Sequence, residues 1–421
     1  MAGGVDRLSD LPDELLLRVL HFVPGKQAAA TTALSRRWRS PLWRSSGAVK
    51  LETDVEDWGY YLYNFNDKSG ESDDALFFSR RDAFVSAAEA ALDAADVPVT
   101  RLTLRVTGHN SIDLFLNGDR HVKLPSSSRH QGALAKLLSH RAARHVEELR
   151  LDAHDAYSDD QASLSSLGHY VFNLGSVQSE NLRVLDLTNC RKLVPPATGV
   201  VFPRLSSLRL HHGTVRLNAL QSLIYAAPAL ATVHLESIII SPPTATDRES
   251  GSWQEAFKTP TLPPAEALLR LPAATIDAPK LRRFRYKGIL RPFSLSPRPP
   301  DLAHADLHFV PRAGDDRVNK ILRGEANLET FWRFLHNFTG IKELKLNVNP
   351  HMDMAVLSEA RRAELPAFSI LEHLELHGKA AAVAIAGLLR CCPKLRNLRI
   401  NHTAEQQCTT SHTIGTPKNS L

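Results

Sequence analysis

The segment that decides the fold is Leu11-Pro12-Asp13-Glu14-Leu15-Leu16-Leu17-Arg18-Val19-Leu20, followed by Leu34-Ser35-Arg36-Arg37-Trp38-Arg39. In the first part, leucines and a valine recur at helical spacing and form an apolar stripe on one face. Pro12 suits a first helical turn, where its missing N–H is not needed, and Asp13 and Glu14 favour the positive end of the helix dipole. Pro24-Gly25 would end this helix.

The same region predicts two further short helices. One should cover about 26–35, and a third should hold Trp38 and Trp43. Roughly fifty residues in such a unit form only a marginal core, so part of its apolar surface needs an outside covering. Either a partner protein covers that surface, or the unit is a helical cap on the rest of the chain.

Composition places the chain among ordinary globular proteins. It has 421 residues with 43% hydrophobic and 23% charged side chains, and its net charge is +6. The basic residues are scattered, which argues against nucleic acid as a partner. The N-terminus lacks a signal-peptide core, no stretch is long and apolar enough for a membrane, and the four cysteines form no CxxC pair. We therefore expect reduced thiols, no membrane association, and a cytoplasmic or nuclear location.

The remainder of the chain repeats one pattern, apolar-x-x-apolar-x-apolar. The ten copies end at Leu104, Leu151, Leu187, Leu210, Leu235, Tyr286, Leu307, Leu346, Leu376 and Ile400. Several steps between copies match the leucine-rich-repeat period of about 20–29 residues. The pattern predicts parallel strands whose apolar residues stack into one continuous core. An ordinary α/β domain is the alternative.

The N-terminal segment resembles the F-box, the helical motif by which adaptor proteins dock onto the Skp1 subunit of cullin-RING ubiquitin ligases. The resemblance rests on the Leu-Pro helix start, the leucine stripe and the Ser-Arg-x-Trp step quoted above. It implies a Skp1-like partner and, through it, a cullin. The residues it assigns to Skp1 binding are Leu11, Pro12, Leu15, Leu16, Val19, Leu20, Leu34 and Trp38.

With the repeats, the chain resembles the plant F-box/leucine-rich-repeat class, and 341–402 is similar to its FBD-type ending. The predicted fold class is α/β, with a small N-terminal helical F-box followed by an irregular leucine-rich-repeat solenoid with parallel concave strands. The predicted divisions are the F-box (1–50), a linker with a capping helix at 82–95 (51–96), the solenoid (97–404, with a loop insertion at about 241–264) and a disordered tail (405–421).

Strand periodicity also predicts a binding face. Residues that flank the last apolar position of each copy point away from the core. They mix basic, acidic and histidine side chains, which suits a protein partner better than nucleic acid. The candidate substrate-binding residues are Arg105, Arg150, Arg209, His211, His234, Arg285, Lys287, Lys345, His377 and Arg399. The other interpretation is that these are solvated strand positions.

Motifs for chemistry are missing from the sequence. Gly25-Lys26 lacks the rest of a phosphate-binding loop, and the histidines show no partner at metal-ligand spacing. We therefore predict no catalytic residue, no metal and no cofactor. An enzyme would have to show turnover by the isolated chain.

The sequence thus favours a non-catalytic substrate receptor of a Skp1–cullin–F-box ubiquitin ligase whose target protein is unknown. One alternative is a binding scaffold that no longer recruits Skp1, motivated by the alanine-rich run Ala28-Ala29-Ala30 in the second helix. Another alternative is a receptor that needs a small molecule to hold its target.

Overall fold

The computed structural model describes residues 11–23, 25–33, 42–55, 70–108, 111–118, 132–155, 169–196, 199–241, 274–288, 290, 293–295, 298–310, 331–347, 366–377 and 388–401. Its helices are α1 (Asp13–Leu20), α2 (Gly25–Ala30), α3 (Gly70–Asp93), α4 (Ile112–Asn117), α5 (Ala133–Ser139) and α6 (Leu217–Ala226). Among the residues it describes, no helix is long and apolar enough to cross a membrane. The fold is mixed α/β.

Twelve of the fourteen strands in the described residues form one parallel sheet, and its main strands follow one another in chain order. The fourteen strands are β1 (Ala48–Asp54), β2 (Arg101–Gly108), β3 (Glu148–Asp155), β4 (Tyr170–Asn173), β5 (Val184–Val194), β6 (Ser207–Arg216), β7 (Thr232–Ser241), β8 (Ala274–Ile276), β9 (Arg283–Gly288), β10 (Phe293–Leu295), β11 (His304–Phe309), β12 (Glu343–Asn347), β13 (His373–His377) and β14 (Asn397–Asn401). The order across the sheet is β1-β2-β3-β5-β6-β7-β9-β11-β12-β13-β14, with β4 beside β5, while β8 and β10 form a separate parallel pair. All ten predicted strands are present in the large sheet. A leucine-rich-repeat solenoid requires stacked parallel strands of this kind. The complete solenoid stays a prediction.

Two apolar rows run across the strands and form the core. Leu102 pairs with Leu149 and Leu104 with Leu151, and each later copy of the repeat continues these rows in register. The row residues of β2 to β13 are buried. At the last strand, Leu398 and Ile400 remain 42% and 38% exposed, because no described strand follows β14. Stacking therefore buries each strand through its neighbours, as in other repeat architectures.

A left-handed kink occurs at the same place in three neighbouring strands. Asn189, His212 and Ser237 adopt positive φ angles of 60°, 49° and 52° and have no partner in the strand register, which continues unchanged on either side. The kink changes which face the following side chains reach, so that Cys190 and Ile238 return to the core. The kinks follow directly after the polar side chains at the middle of the sheet.

The N-terminal part departs from prediction in three places. The helix expected at 82–95 is α3, which begins at Gly70 and packs against α5 and β1. Strand β1 was not predicted, and it occupies the sheet edge across the expected division at residue 50. The second helix is α2 and continues as a 3-10 turn at Thr31–Ala33. The predicted divisions of the chain stay predictions, and the insertion at about 242–264 and the tail at 405–421 lie outside the described residues.

A charged cluster links β2 to β3 beside the apolar rows. Arg101 donates from Nε to Glu148 at 2.6 Å, and Arg150 forms a close ion pair with the same carboxylate. Burial acts to raise the pKa of Glu148, but the two guanidinium groups outweigh it and hold this pKa below its usual value. The ionised carboxylate is therefore stabilised in the folded protein.

Replacing Gly213 by alanine should destabilise the fold. Gly213 has a φ of 153°, and an added Cβ would lie 2.2 Å from the carbonyl oxygen of Cys190 in the neighbouring strand. We expect a loss of about 2–4 kcal/mol in the free energy of unfolding, measured by urea denaturation. The matched control is Gly340→Ala, where a Cβ meets nothing within 4 Å. Equal stability of both variants would contradict the close approach of β5 and β6.

Glu148→Gln should weaken the fold in a pH-dependent way. Because the folded pKa lies below the unfolded one, the stabilisation is fully present above an unfolded pKa of about 4.3 and is lost as the pH falls through the folded value. The variant should be less stable by about 1.5–3 kcal/mol at pH 7, and this difference should shrink below about pH 4. Urea denaturation across this pH range measures it.

The matched control for that experiment is Glu147→Gln. Glu147 pairs with Arg183 at 3.2 Å at the surface, where its side chain is 40% exposed. Exposed pairs contribute about 1 kcal/mol or less, so this variant should remain close to the parent protein. A Glu148→Gln penalty that stays constant with pH would contradict the role given to the carboxylate charge.

Candidate functional site

The N-terminal helices form a small core of their own. Helix α1 begins after Pro12, and its residues Leu16 and Leu20 pack with Ala28 of α2 in a buried cluster. Four partly buried residues surround this cluster: Leu11, Val23, Leu42 and Trp43. The unit is tied to the sheet by a hydrogen bond of 3.0 Å between His21 Nδ1 and the carbonyl oxygen of Ser46. The cluster is small, as expected for so short a segment.

A second side of α1, next to the buried one, is apolar and exposed. Leu15, Val19 and Phe22 are 45%, 46% and 63% exposed. Their spacing of four and three residues places them on one side of the helix, and we call these three residues the docking stripe. Phe22 also lies 5.1 Å from the guanidinium of Arg101, which orients its ring over the start of β2. Three exposed apolar side chains on one side of a helix make this stripe the candidate interaction surface of the N-terminal unit.

The eight residues predicted to bind Skp1 divide into three groups. Pro12, Leu15 and Val19 are exposed, and Leu11 is half-buried. Leu16 and Leu20 are 0% and 2% exposed, so they belong to the internal core and cannot contact a partner in this conformation. Leu34 and Trp38 lie outside the described residues. Phe22 was not among the eight predicted residues, although it continues the exposed stripe three residues beyond Val19.

The second surface is the polar face of the sheet, formed by the side chains between the apolar rows. All ten predicted substrate-binding residues lie on it, half-buried or exposed: Arg105 on β2, Arg150 on β3, Arg209 and His211 on β6, His234 on β7, Arg285 and Lys287 on β9, Lys345 on β12, His377 on β13 and Arg399 on β14. The structure therefore places each of them where strand periodicity predicted. Whether they contact a target stays a prediction.

Charges on this face pair from strand to strand. Arg105 contacts Asp152 at 3.0 Å, and Arg285 contacts Asp306 at 3.2 Å, each across one strand boundary. Opposite charges directly across neighbouring strands stabilise a sheet by a few tenths of a kcal/mol to about 1 kcal/mol. The pairing also fixes the long side chains in place. The polar face is therefore an ordered surface, and its cations have defined positions.

A closely packed polar group lies at the middle of the sheet, on β6, β7 and β9. Glu236 Oε2 is 3.2 Å from His211 Nδ1 and 3.7 Å from His234 Nε2, and Glu236 Oε1 is 2.5 Å from Lys287 Nζ. Hydrogen bonds from His211 and then Lys287 hold the pKa of Glu236 well below its usual range, although burial opposes them. Burial lowers the pKa of His234 to about 4, so its imidazole is neutral near pH 7.

An open groove of about 830 Å³ runs over the polar face from β6 to β14. Six of the ten predicted residues line it: Arg209, His211, His234, Arg285, Lys345 and Arg399. The other four, Arg105, Arg150, Lys287 and His377, are not part of its lining. The candidate residues that line the groove therefore all lie on β6 or on later strands. The groove is large enough for a peptide segment.

Comparison with known proteins identifies the N-terminal unit. The F-box domain family matches residues 8–40. A putative FBD-associated F-box protein of Arabidopsis thaliana is 58% identical over 48 residues, which are 11% of this chain and 25% of that protein. An F-box/FBD/LRR-repeat protein of the same plant is 47% identical over 55 residues, 13% of this chain and 12% of that protein.

A further Arabidopsis thaliana relative, an FBD-associated F-box protein, is 52% identical over 53 residues, 13% of this chain and 13% of that protein. The similar segment thus spans between about an eighth and a quarter of the relatives' own length. Residues 8–40 of this chain are an F-box domain, and the chain that carries them is similar to plant F-box proteins of the FBD-associated kind.

Proposed function

We propose that this protein is a non-catalytic substrate-recognition adaptor of a Skp1–cullin–F-box ubiquitin ligase. The F-box would dock on a Skp1-like protein, which binds a cullin, and the polar face of the sheet would hold a target protein. The observation that carries the proposal is the docking stripe on α1, which is exposed on an F-box domain. F-box proteins generally act as adaptors without chemistry of their own.

The docking stripe supplies the driving force that such an interface requires. Completely burying a leucine, valine or phenylalanine side chain contributes about 1.5–3 kcal/mol each. About half of the surface of Leu15 and Val19 is already buried within the F-box. A partner that docks here would bury the remaining half without changing the shape of the helix. The internal contacts of Leu16 and Leu20 keep α1 in place for this purpose. Preorganisation of this kind lowers the entropic cost of binding.

The groove favours a target segment that carries carboxylates. Its lining includes the guanidinium groups of Arg209, Arg283, Arg285 and Arg399 and the ammonium group of Lys345, against the carboxylates of Asp306, Glu343 and Glu375. The surplus of positive charge attracts acidic side chains of a target. The groove's own carboxylates would repel a target segment in which every side chain is acidic. Holding such a target near a ubiquitin-charged enzyme makes an otherwise bimolecular transfer effectively unimolecular. The expected location is the cytoplasm or the nucleus.

Placing lysines on the docking stripe should abolish Skp1 binding. In Leu15→Lys/Val19→Lys the helix remains favourable, because lysine has good helix propensity. Burying two unpaired ammonium groups in an apolar interface costs several kcal/mol, so affinity for a purified plant Skp1 should fall by about 100-fold or more. Calorimetry with the full-length chain measures the affinity, and the thermal unfolding midpoint confirms folding.

The matched control is Leu76→Lys/Val201→Lys. These residues are the same two types and are 50% and 51% exposed, but they lie on α3 and before β6. Skp1 affinity should be unchanged in this variant. Equal affinities of the docking-stripe variant and the parent chain would overturn the adaptor proposal.

Charge reversal in the groove should remove the target and leave Skp1 binding intact. The test variant is Arg285→Glu/Arg399→Glu, and the control is Arg282→Glu/Arg396→Glu, whose exposed residues are not part of the groove lining. After proteasome inhibition, proteins that are enriched with the parent chain and the control should be lost from the test variant, as quantified by mass spectrometry. Unchanged enrichment by both variants would show that the groove does not hold the target.

A further inference from the structure

We propose that His211, His234 and Glu236 bind a divalent transition-metal ion of the zinc class on the polar face of the sheet. One potential ligand atom from each of the three residues lies within 4.8 Å of the others. Two histidines and one carboxylate are a ligand set that zinc uses, with a fourth position left open for water or another ligand. The inference concerns the sheet alone and is independent of Skp1 docking.

The two distances from the carboxylate oxygen to the imidazole nitrogens are close to those that a tetrahedral ion requires. Zinc lies about 2.0–2.1 Å from imidazole nitrogens and carboxylate oxygens, which places neighbouring ligand atoms about 3.3 Å apart. Glu236 Oε2 is 3.2 Å from His211 Nδ1 and 3.7 Å from His234 Nε2. The third pair, His211 and His234, lies within 4.8 Å, so these two imidazoles would move toward each other when the ion binds. The hydrogen bond between His211 and Glu236 would be replaced by the two bonds to the ion.

Strand register brings the three side chains together. His234 and Glu236 are alternate residues of β7, so both project from the polar face, and His211 of β6 lies directly opposite Glu236. The next residue of each strand, His212 and Ser237, has a positive φ angle. The chain is therefore kinked directly after the ligands, while the register that aligns His211 with Glu236 is kept.

Neighbouring groups orient two of the ligands. His211 Nε2 faces Asp186 Oδ1 at 3.5 Å, an arrangement that directs Nδ1 toward the ion. Lys287 holds Glu236 Oε1 at 2.5 Å, which leaves Oε2 free for ligation. His234 Nε2 is buried and has no hydrogen-bond partner among the described residues, a state that a metal ion would relieve. In most histidine metal sites, the ring nitrogen that does not bind the metal contacts a carboxylate, a carbonyl oxygen or water in this way.

The surrounding charge predicts which ions bind. Lys287, Arg209 and Arg285 lie near the three ligands and disfavour any cation held by charge alone. Calcium and magnesium prefer several oxygen ligands, and this group offers one carboxylate. Zinc, cobalt and nickel bind imidazole nitrogen strongly, so they should bind where calcium and magnesium do not. His211 and His234 line the groove, so the open fourth position would face a bound target.

Metal titration of the full-length chain tests this inference. After treatment with a chelator, Co²⁺ should bind with a stoichiometry of one ion per chain. The bound ion should give the intense visible absorption of a four-coordinate site. Zn²⁺ should displace it, and Mg²⁺ and Ca²⁺ should not. His211→Ala and His234→Ala should each weaken Zn²⁺ binding by about 100-fold or more, and Asp186→Asn by about 10- to 100-fold.

Three further variants separate ligation from folding and from surface histidines. Glu236→Gln keeps the size of the side chain and one of its two acceptor oxygens, so it should fold and still lose the four-coordinate absorption. His304→Ala and His373→Ala change histidines that line the same groove. These two variants should bind Zn²⁺ with the affinity of the parent chain. The inference is overturned by a parent Kd for Zn²⁺ weaker than about 1 mM, or by equal binding in the parent, His211→Ala and His234→Ala.

Discussion

The structure depends on the register between parallel strands, in which every apolar row residue meets another apolar residue in the next strand. Leu104 pairs with Leu151, and Leu187 pairs with Leu210, so each strand buries its leucines only because its neighbours do the same. A slip of one residue would turn the leucines toward the groove and the charges into the core. The same register that builds the core therefore builds the polar face. Its ion pairs and its histidine–glutamate group are consequences of strand alignment.

Much of this fold could be predicted from the sequence, because a period-two pattern of leucines defines both the strands and their faces. The ten strands and the orientation of side chains such as Arg209 and Lys345 follow from that pattern. Strand β1 was missed because Val49 and Leu51 alone do not make the full pattern. The start of α3 was missed because the acidic residues Glu71, Asp73 and Asp74 resemble a loop. Such residues are acceptable in the first turns of a helix.

The candidate surfaces were harder to predict, for two physical reasons. The leucine stripe of α1 is wide, and its sequence alone does not separate Leu16, which faces the small internal core, from Leu15, which faces outward. The histidine–glutamate group is assembled across two strands, so His211 and Glu236 are 25 residues apart and match no local metal-binding spacing. Strand register could have revealed it, since the repeat pattern places both residues at the same position of successive copies.

The docking stripe and the groove occupy opposite ends of the chain, which suits an adaptor that holds two proteins at once. Hydrogen–deuterium exchange of the full-length chain, with and without a purified plant Skp1, tests this account most directly. We expect slower exchange in α1 and the following residues up to Phe22, and unchanged exchange in β6 to β14. Unchanged exchange in α1, or protection confined to the strands of the groove, would contradict it.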